Sequence, residues 1–186
     1  YLSNKLIGYY GNLSNKIVLD PACGDGSLLI SFSEQTDSNI GKLIGFDTNK
    51  EYISQTKKNL KEIGISNYEI ENEDFLEISN RKNDLFSSNY LSEYADVIIA
   101  NPPYVRTQNL GSEKSKQIAK DFNLKGKVDL YYPFLIGMTN VLKKGGILGV
   151  ITSNRYLTTK SGADIRKFLL ENYDILEVID LGDSQL

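Results

Sequence analysis

The run Asp96-Val97-Ile98-Ile99-Ala100, closed by Asn101-Pro102-Pro103-Tyr104, constrains this chain more than any other stretch. Its apolar, β-branched residues lack the alternation of a strand with one wet face, so a buried strand covered on both sides is expected. Two successive prolines then remove backbone donors and fix φ, which ends strand pairing there. The strand must therefore deliver an amide, a stiff backbone carbonyl and an aromatic ring at its carboxyl end.

The other segments alternate in type along the chain. Ile17-Val18-Leu19 and Leu43-Ile44-Gly45-Phe46 read as strands, with the apolar residues Leu28, Leu29, Ile30 and Phe32 between them. Tyr52, Ile53, Thr56, Leu60 and Ile63 recur at roughly helical spacing up to Gly64. Tyr68-Glu69-Ile70 is a weaker strand. Residues 105–127 are polar without a clear period and read as a loop or lid holding a short helix. Leu130 to Leu142 reads as a helix stopped by Lys143-Lys144-Gly145-Gly146, whose lysines suit a helix C-terminus. Ile147 to Ile151 is a strand, Ala163 to Leu170 a helix, and Ile175 to Leu181 a final strand. Strands separated by helices predict an α/β, Rossmann-like, doubly wound and mostly parallel sheet, with ligands beyond the strand carboxyl ends.

At 186 residues the chain suits one domain. No apolar run approaches the eighteen or so residues of a membrane span. The lone Cys23 forms no internal disulfide and neither end carries an export signal, which fits a reducing, cytoplasmic setting. The opening at Tyr1-Leu2-Ser3 reads as trimmed from a longer chain. A net charge of −3 has the wrong sign for a protein living wholly on nucleic-acid electrostatics. Charge is uneven, however. Arg106, Lys114, Lys116, Lys120, Lys125 and Lys127 are opposed only by Glu113 and Asp121, and Arg155, Lys160, Arg166 and Lys167 form a second basic set. Acids crowd instead at Glu69, Glu71, Glu73, Asp74 and Glu77. Such asymmetry either aims one face at phosphates or marks a solvated surface.

The turn Asp20-Pro21-Ala22-Cys23-Gly24-Asp25-Gly26 follows the first strand. Gly24 and Gly26 permit positive φ and let backbone approach a ligand, and Ser27-Leu28-Leu29 begins a helix whose free N–H groups face the same crevice. Asp20 and Asp25 would repel a pyrophosphate, whereas a carboxylate accepts readily from a cationic α-amino group. Asp47 ends the second strand, where an acid can grip ribose hydroxyls. Asp74 can accept from an adenine amino group while Phe75 touches the ring; the alternatives are that Asp74 caps a short helix and Phe75 is plain core. An amino acid joined to an adenosine meets all these demands, which describes S-adenosylmethionine. Cys23 reads as a small turn residue, because the chain has no histidine to activate it.

At the other strand end the chemistry is that of an exocyclic amine, a poor nucleophile whose lone pair is delocalised into its ring. Two acceptors that take both amine hydrogens favour a pyramidal nitrogen. The Asn101 side-chain oxygen is one, and the Pro102 carbonyl, held stiff by Pro103, is the other. Tyr104 can stack on an extruded base. Such a transfer requires no metal. Asp129, in Val128-Asp129-Leu130-Tyr131, is expected to be a helix N-cap. Arg155 and Lys160, in the loop after the fifth strand, are candidates for phosphate contacts or for ordinary loop roles.

In these features the chain resembles the class I, S-adenosylmethionine-dependent DNA adenine-N6 methyltransferases, in the branch fused to restriction nucleases or belonging to phage-defence systems. The likeness rests on Asp20 to Ser27, Asp47, Asp74-Phe75, Asn101-Pro102-Pro103-Tyr104-Val105, Val128-Asp129-Leu130-Tyr131, Lys144-Gly145-Gly146 and Thr152-Ser153-Asn154-Arg155-Tyr156. It implies that Asp20, Ala22, Gly24, Gly26 and Asp47 hold S-adenosylmethionine and that Asp74 and Phe75 hold its adenine. It further implies that Asn101, Pro102 and Tyr104 act on a flipped adenine of double-stranded DNA, with Pro103, Tyr104, Arg106, Arg155 and Lys160 as substrate contacts. By the same resemblance, residues 1–186 are a methyltransferase core lacking the family's aromatic-Thr-Pro segment, its last strand and its target-recognition domain. A fused or separate nuclease is the implied partner, and the core alone is expected to bind cofactor weakly. Asn-Pro-Pro-Tyr also serves enzymes that methylate release-factor glutamines or guanine N2 in RNA. A noncatalytic nucleotide-binding or scaffold module is the remaining alternative.

Overall fold

The computed structural model describes residues 1–36, 39–80, 92–124, 129–180 and 182. Lys125, Lys127, Val128 and Leu181, named above, lie outside them. Five parallel strands form one sheet: β1 (Ile17–Asp20), β2 (Lys42–Phe46), β3 (Tyr68–Glu71), β4 (Ala95–Ala100) and β5 (Leu142–Val150), in the order β3-β2-β1-β4-β5. The six residues of β4 are all buried, as its unbroken apolar character requires. Alternate side chains serve two cores. Val97 and Ile99 pack with Leu29 and Phe32 of α2 (Ser27–Glu34) and with Ile53 and Leu60 of α3 (Lys50–Glu62). Ile98 and Ala100 join Phe75 of α4 (Phe75–Ser79), Leu135 and Met138 of α6 (Tyr131–Val141), and Ile165 of α8 (Ala163–Asn172). Helices thus cover both faces, and among the described residues none is long and apolar enough to cross a membrane.

Strand order reverses at β1, which pairs with β2 on one side and β4 on the other. The register Val18↔Val97 and Leu19↔Ile98 sets the loops that follow Asp20 and Ala100 side by side, about one strand spacing of 4.8 Å apart. At the opposite end of the sheet, Asp96 ties three elements together. Its carboxylate accepts from the Ile17 backbone N–H at 3.0 Å, from Lys143 at 2.8 Å and from Tyr10 at 3.3 Å, with Lys16 at 3.6 Å. Burial opposes its charge, but these hydrogen bonds and the two lysines outweigh it and hold the carboxyl below its ordinary range.

Four local expectations need correction. Residues 2–10 form α1 (Leu2–Tyr10), which the sequence pattern did not signal and which buries Ser3 and Leu6. Helix α6 begins at Tyr131 behind Leu130 and has no side-chain cap; Asp129 contributes its carbonyl, accepting from Tyr132 N–H at 3.1 Å, and pairs by backbone with Arg106. Leu142 already belongs to β5, opposite Ala95, and Lys143 reaches Asp96 rather than serving a helix end. Ile175 to Asp180 is not a strand: Ile175, Leu176, Val178 and Ile179 are exposed, and the segment touches α1 through Glu177 and Lys5 at 3.0 Å. Strand propensity alone forms no ladder, and none of the described strands pairs with these residues.

Candidate active site

A cleft of about 290 Å³ opens at the carboxyl ends of the strands, near the lower limit of ordinary ligand pockets. Pro21 and Ala22 line it from the loop after β1, Asp47 and Thr48 from the end of β2, Glu73 and Asp74 from the loop after β3, and Phe75 from the start of α4. Asn101 and Pro103 line it from the loop after β4, and Phe134 of α6 closes one side. Part of each group of residues singled out by sequence, Pro21 and Ala22 from the first turn and Asn101 and Pro103 from the β4 end, therefore shares one cavity. The topology enforces this, because β1 and β4 are neighbours.

The glycine turn is built around carboxylates. Gly24 (φ +54°) donates its N–H to Asp47 at 3.0 Å, and its carbonyl accepts from Thr56 of α3 at 2.7 Å. Gly26 (φ +86°) begins α2, and a Cβ there would stand 2.7 Å from the Thr56 methyl. The other Asp47 oxygen accepts from Asn49 N–H at 2.8 Å, and both oxygens keep lone pairs for further donors. Asp20 lies behind the cavity wall formed by its neighbours Pro21 and Ala22. One of its oxygens accepts from Ala22 N–H at 3.0 Å; the other is buried without a partner among the described residues. Burial, with Asp47 adding to it, pushes the Asp20 carboxyl up to about 7. Burial likewise pushes the Cys23 thiol up to about 12, which leaves an inert residue packed beneath the turn.

For Asp74 the helix cap anticipated as one alternative is present, and the residue also stands on the cavity wall. It caps α4, accepting from Leu76 N–H at 3.1 Å, and it lines the cavity. Its second oxygen accepts from Lys114 at 2.9 Å. Lys114 belongs to α5 (Ser112–Asp121), the short helix within the segment expected to be a loop or lid, and α5 is anchored in the core through Ile118. Phe75 is almost fully buried, yet one edge reaches the cavity; its ring stacks on Phe134 with centroids 5.7 Å apart. Phe75 is thus the core residue that one reading expected, and it also lines the cavity.

At the β4 end Pro102 is buried and Asn101, Pro103 and Tyr104 are exposed. The Tyr104 hydroxyl donates to the Asn101 side-chain oxygen. Arg106, Arg155 and Lys160 are exposed and lie outside the cavity wall, as do Gly24, Gly26 and Tyr104. Thr48, Glu73, Phe134 and Lys114 are the site residues that sequence reasoning passed over. Glu73 was visible beside Asp74, whereas the spacing of Phe134 reads as helix core.

The acid-lined walls decide among ligands. A pyrophosphate here would face Asp47, Glu73 and Asp74, while hydroxyls, an amino group and an apolar ring edge are all accommodated. The residues thus fit a sugar and an amino-bearing ring, as S-adenosylmethionine carries. Among the described residues no group of three or more His, Cys, Asp or Glu is placed to hold a metal ion.

Strand order and the position of this cleft are those of the class I methyltransferase fold. Residues 25–186 match the Eco57I restriction-modification methylase family, and the chain belongs to it. It is 49% identical over 174 residues to the type II methyltransferase M.BanIII of Aneurinibacillus aneurinilyticus, covering 90% of this chain and 30% of that protein. It is 30% identical over 176 residues to the type II restriction enzyme and methyltransferase RM.Eco57I of Escherichia coli, covering 89% and 16% respectively. The chain therefore spans less than a third of the length of either relative. The fold matches the type I restriction-modification system methyltransferase subunit from Streptococcus thermophilus at a TM-score of 0.70 and 19% identity, over 91% of this chain and 36% of that one.

Proposed function

We propose that the site transfers a methyl group from S-adenosylmethionine to the N6 amine of an adenine flipped out of DNA. The observation that carries this reading is the shared cavity: Asn101 and Pro103 line one part of it, and Ala22, Asp47, Asp74 and Phe75 are among the residues that line the rest. A donor seated against the first three loops then lies within reach of a nitrogen held at the fourth. When bound, S-adenosylmethionine supplies an electrophilic methyl on a positively charged sulfur that leaves readily.

The chain's own residues supply position and electrostatics. Asp47 accepts from ribose hydroxyls and Asp74 from the cofactor's adenine amino group. Asn101 and the Pro102 carbonyl accept the two hydrogens of the target amine, localising its lone pair. The amine becomes acidic only as it is alkylated, so no strong base is required beforehand. Alignment of two reactants in this manner supplies roughly 7–11 kcal/mol of a barrier. Tyr104 offers a ring for stacking, worth about 1–3 kcal/mol per base. Arg106, Arg155 and Lys160, exposed around the loops, meet DNA phosphates. In this reading the full-length protein also engages a target-recognition domain and a nuclease, fused or separate.

The test is to incubate the full-length protein with methyl-labelled cofactor and, in separate reactions, duplex DNA, RNA or a release factor. Label is expected on adenine N6 alone. Label on guanine N2 or glutamine overturns the DNA assignment, and label nowhere favours a noncatalytic module.

A further inference from the structure

The acceptor that the proposed reading gives to the cofactor's adenine already has an internal donor. Of the two Asp74 oxygens, one is committed to the Leu76 N–H, and the other holds the Lys114 ammonium at 2.9 Å. The Asp74 side chain is only 17% exposed, which restricts the directions from which a second donor can approach. Lys114 sits in the first turn of α5, and α5 follows the Asn101–Tyr104 loop after a single 3₁₀ turn, Thr107–Leu110. One ion pair therefore links the floor of the cofactor cavity to the segment that leads out of the base-holding loop. The rest of α5 is held by different means, through Ile118 and, just past the helix end, Phe122, both buried in the core.

We infer that Lys114 is a latch: it competes with an amino-bearing ring for Asp74, so that filling the cavity releases the first turn of the lid. The inference rests on the assignment of Asp74 to the cofactor's adenine. An ammonium donor is stronger than a neutral ring amine, so the latch resists displacement and lowers cofactor affinity. It is also half-exposed, so the effect is modest and screened by salt. Removing the latch frees Asp74 without disturbing the α4 cap, because the cap uses the other oxygen. Lys114 thereby connects two events that the chemistry needs in order, cofactor seating first and loosening of the base loop second.

The experiment is calorimetric titration of S-adenosylhomocysteine into the full-length wild type and Lys114→Met, in dilute buffer and again in high salt. Lys114→Met is expected to bind up to about fivefold tighter in dilute buffer, and the gap should close in high salt as wild-type affinity rises. Trypsin cleavage after Lys116, next to that first turn, provides the lid readout. Ligand should accelerate it in the wild type, whereas Lys114→Met should be cut quickly with or without ligand. Equal or weaker binding by Lys114→Met, with wild-type binding intact, overturns the latch alone. Absence of binding by both proteins overturns the cofactor assignment and the latch with it.

Discussion

The Tyr104 hydroxyl donates a hydrogen bond to the side-chain oxygen of Asn101. The oxygen that would accept a target amine thus already has a donor three residues away, and the base must displace it. Tyr104→Phe keeps the stacking ring and removes the competitor. A hydrogen bond of ordinary net strength, about 0.5–1.5 kcal/mol, then predicts a KM for DNA lowered by up to about tenfold in steady-state kinetics of the full-length protein. Tyr104→Ala loses the ring and should raise KM by roughly 5- to 150-fold, the equivalent of about 1–3 kcal/mol of stacking. A Tyr104→Phe variant as impaired as Tyr104→Ala would refute the competition.

Asp20 titrates in a direction that stability measurements can read. Its folded carboxyl sits at about 7, against about 3.9 in an unfolded chain. The folded state therefore binds the extra proton between those values, and wild-type stability falls as pH rises through that window. Urea unfolding at pH 4, 6 and 8 should show Asp20→Asn equal to wild type at the lowest pH and more stable at the highest. If Asp20 also meets the cofactor's amino group, calorimetry near pH 6 in buffers of different ionisation enthalpy will show a proton released on binding. No proton release would confine Asp20 to shaping the turn.

Asp96 has the opposite sign. Its partners hold the folded carboxyl below its ordinary value, so its contribution is fully present above about pH 4 and is lost as pH falls through the folded value. Asp96→Ala leaves the Ile17 N–H without its acceptor and should cost about 1–3 kcal/mol at pH 7. In denaturant titrations the difference from wild type should shrink in acid. A difference that persists unchanged at low pH would contradict the charge-based account.

The two turn glycines should respond unequally to alanine. At Gly24 a Cβ meets nothing within 4 Å, so only the positive φ counts, about 1–2 kcal/mol. At Gly26 the same conformational cost is joined by the Thr56 methyl at 2.7 Å. Gly26→Ala should be the more destabilised in thermal unfolding, and Thr56→Ser, which removes that methyl, should restore part of the loss. Equal effects at the two glycines would show that the turn yields to the added carbon.

The sheet was legible because β4 announces burial on both faces and because each strand ends at a change of composition. The cavity was legible for the same reason: chemistry-bearing residues follow β1, β2 and β4 directly, and adjacent strands bring their ends together. What sequence pattern missed depends on distant partners. Asp96 gathers Ile17 and Lys143 from opposite sides of the chain, and Lys114 meets Asp74 across forty residues. The apolar run Ile175 to Ile179 misled in the other direction, since its β-branched residues carry strand propensity while no described strand pairs with them.

Asn101 is the residue on which the proposed methyl transfer most directly depends. Asn101→Ala in the full-length protein, assayed with labelled cofactor and duplex DNA alongside calorimetry of cofactor binding, should abolish transfer to adenine N6 while leaving cofactor affinity within a few-fold of wild type. Retained transfer, or cofactor affinity lost in proportion to activity, would contradict the role assigned to the β4 loop.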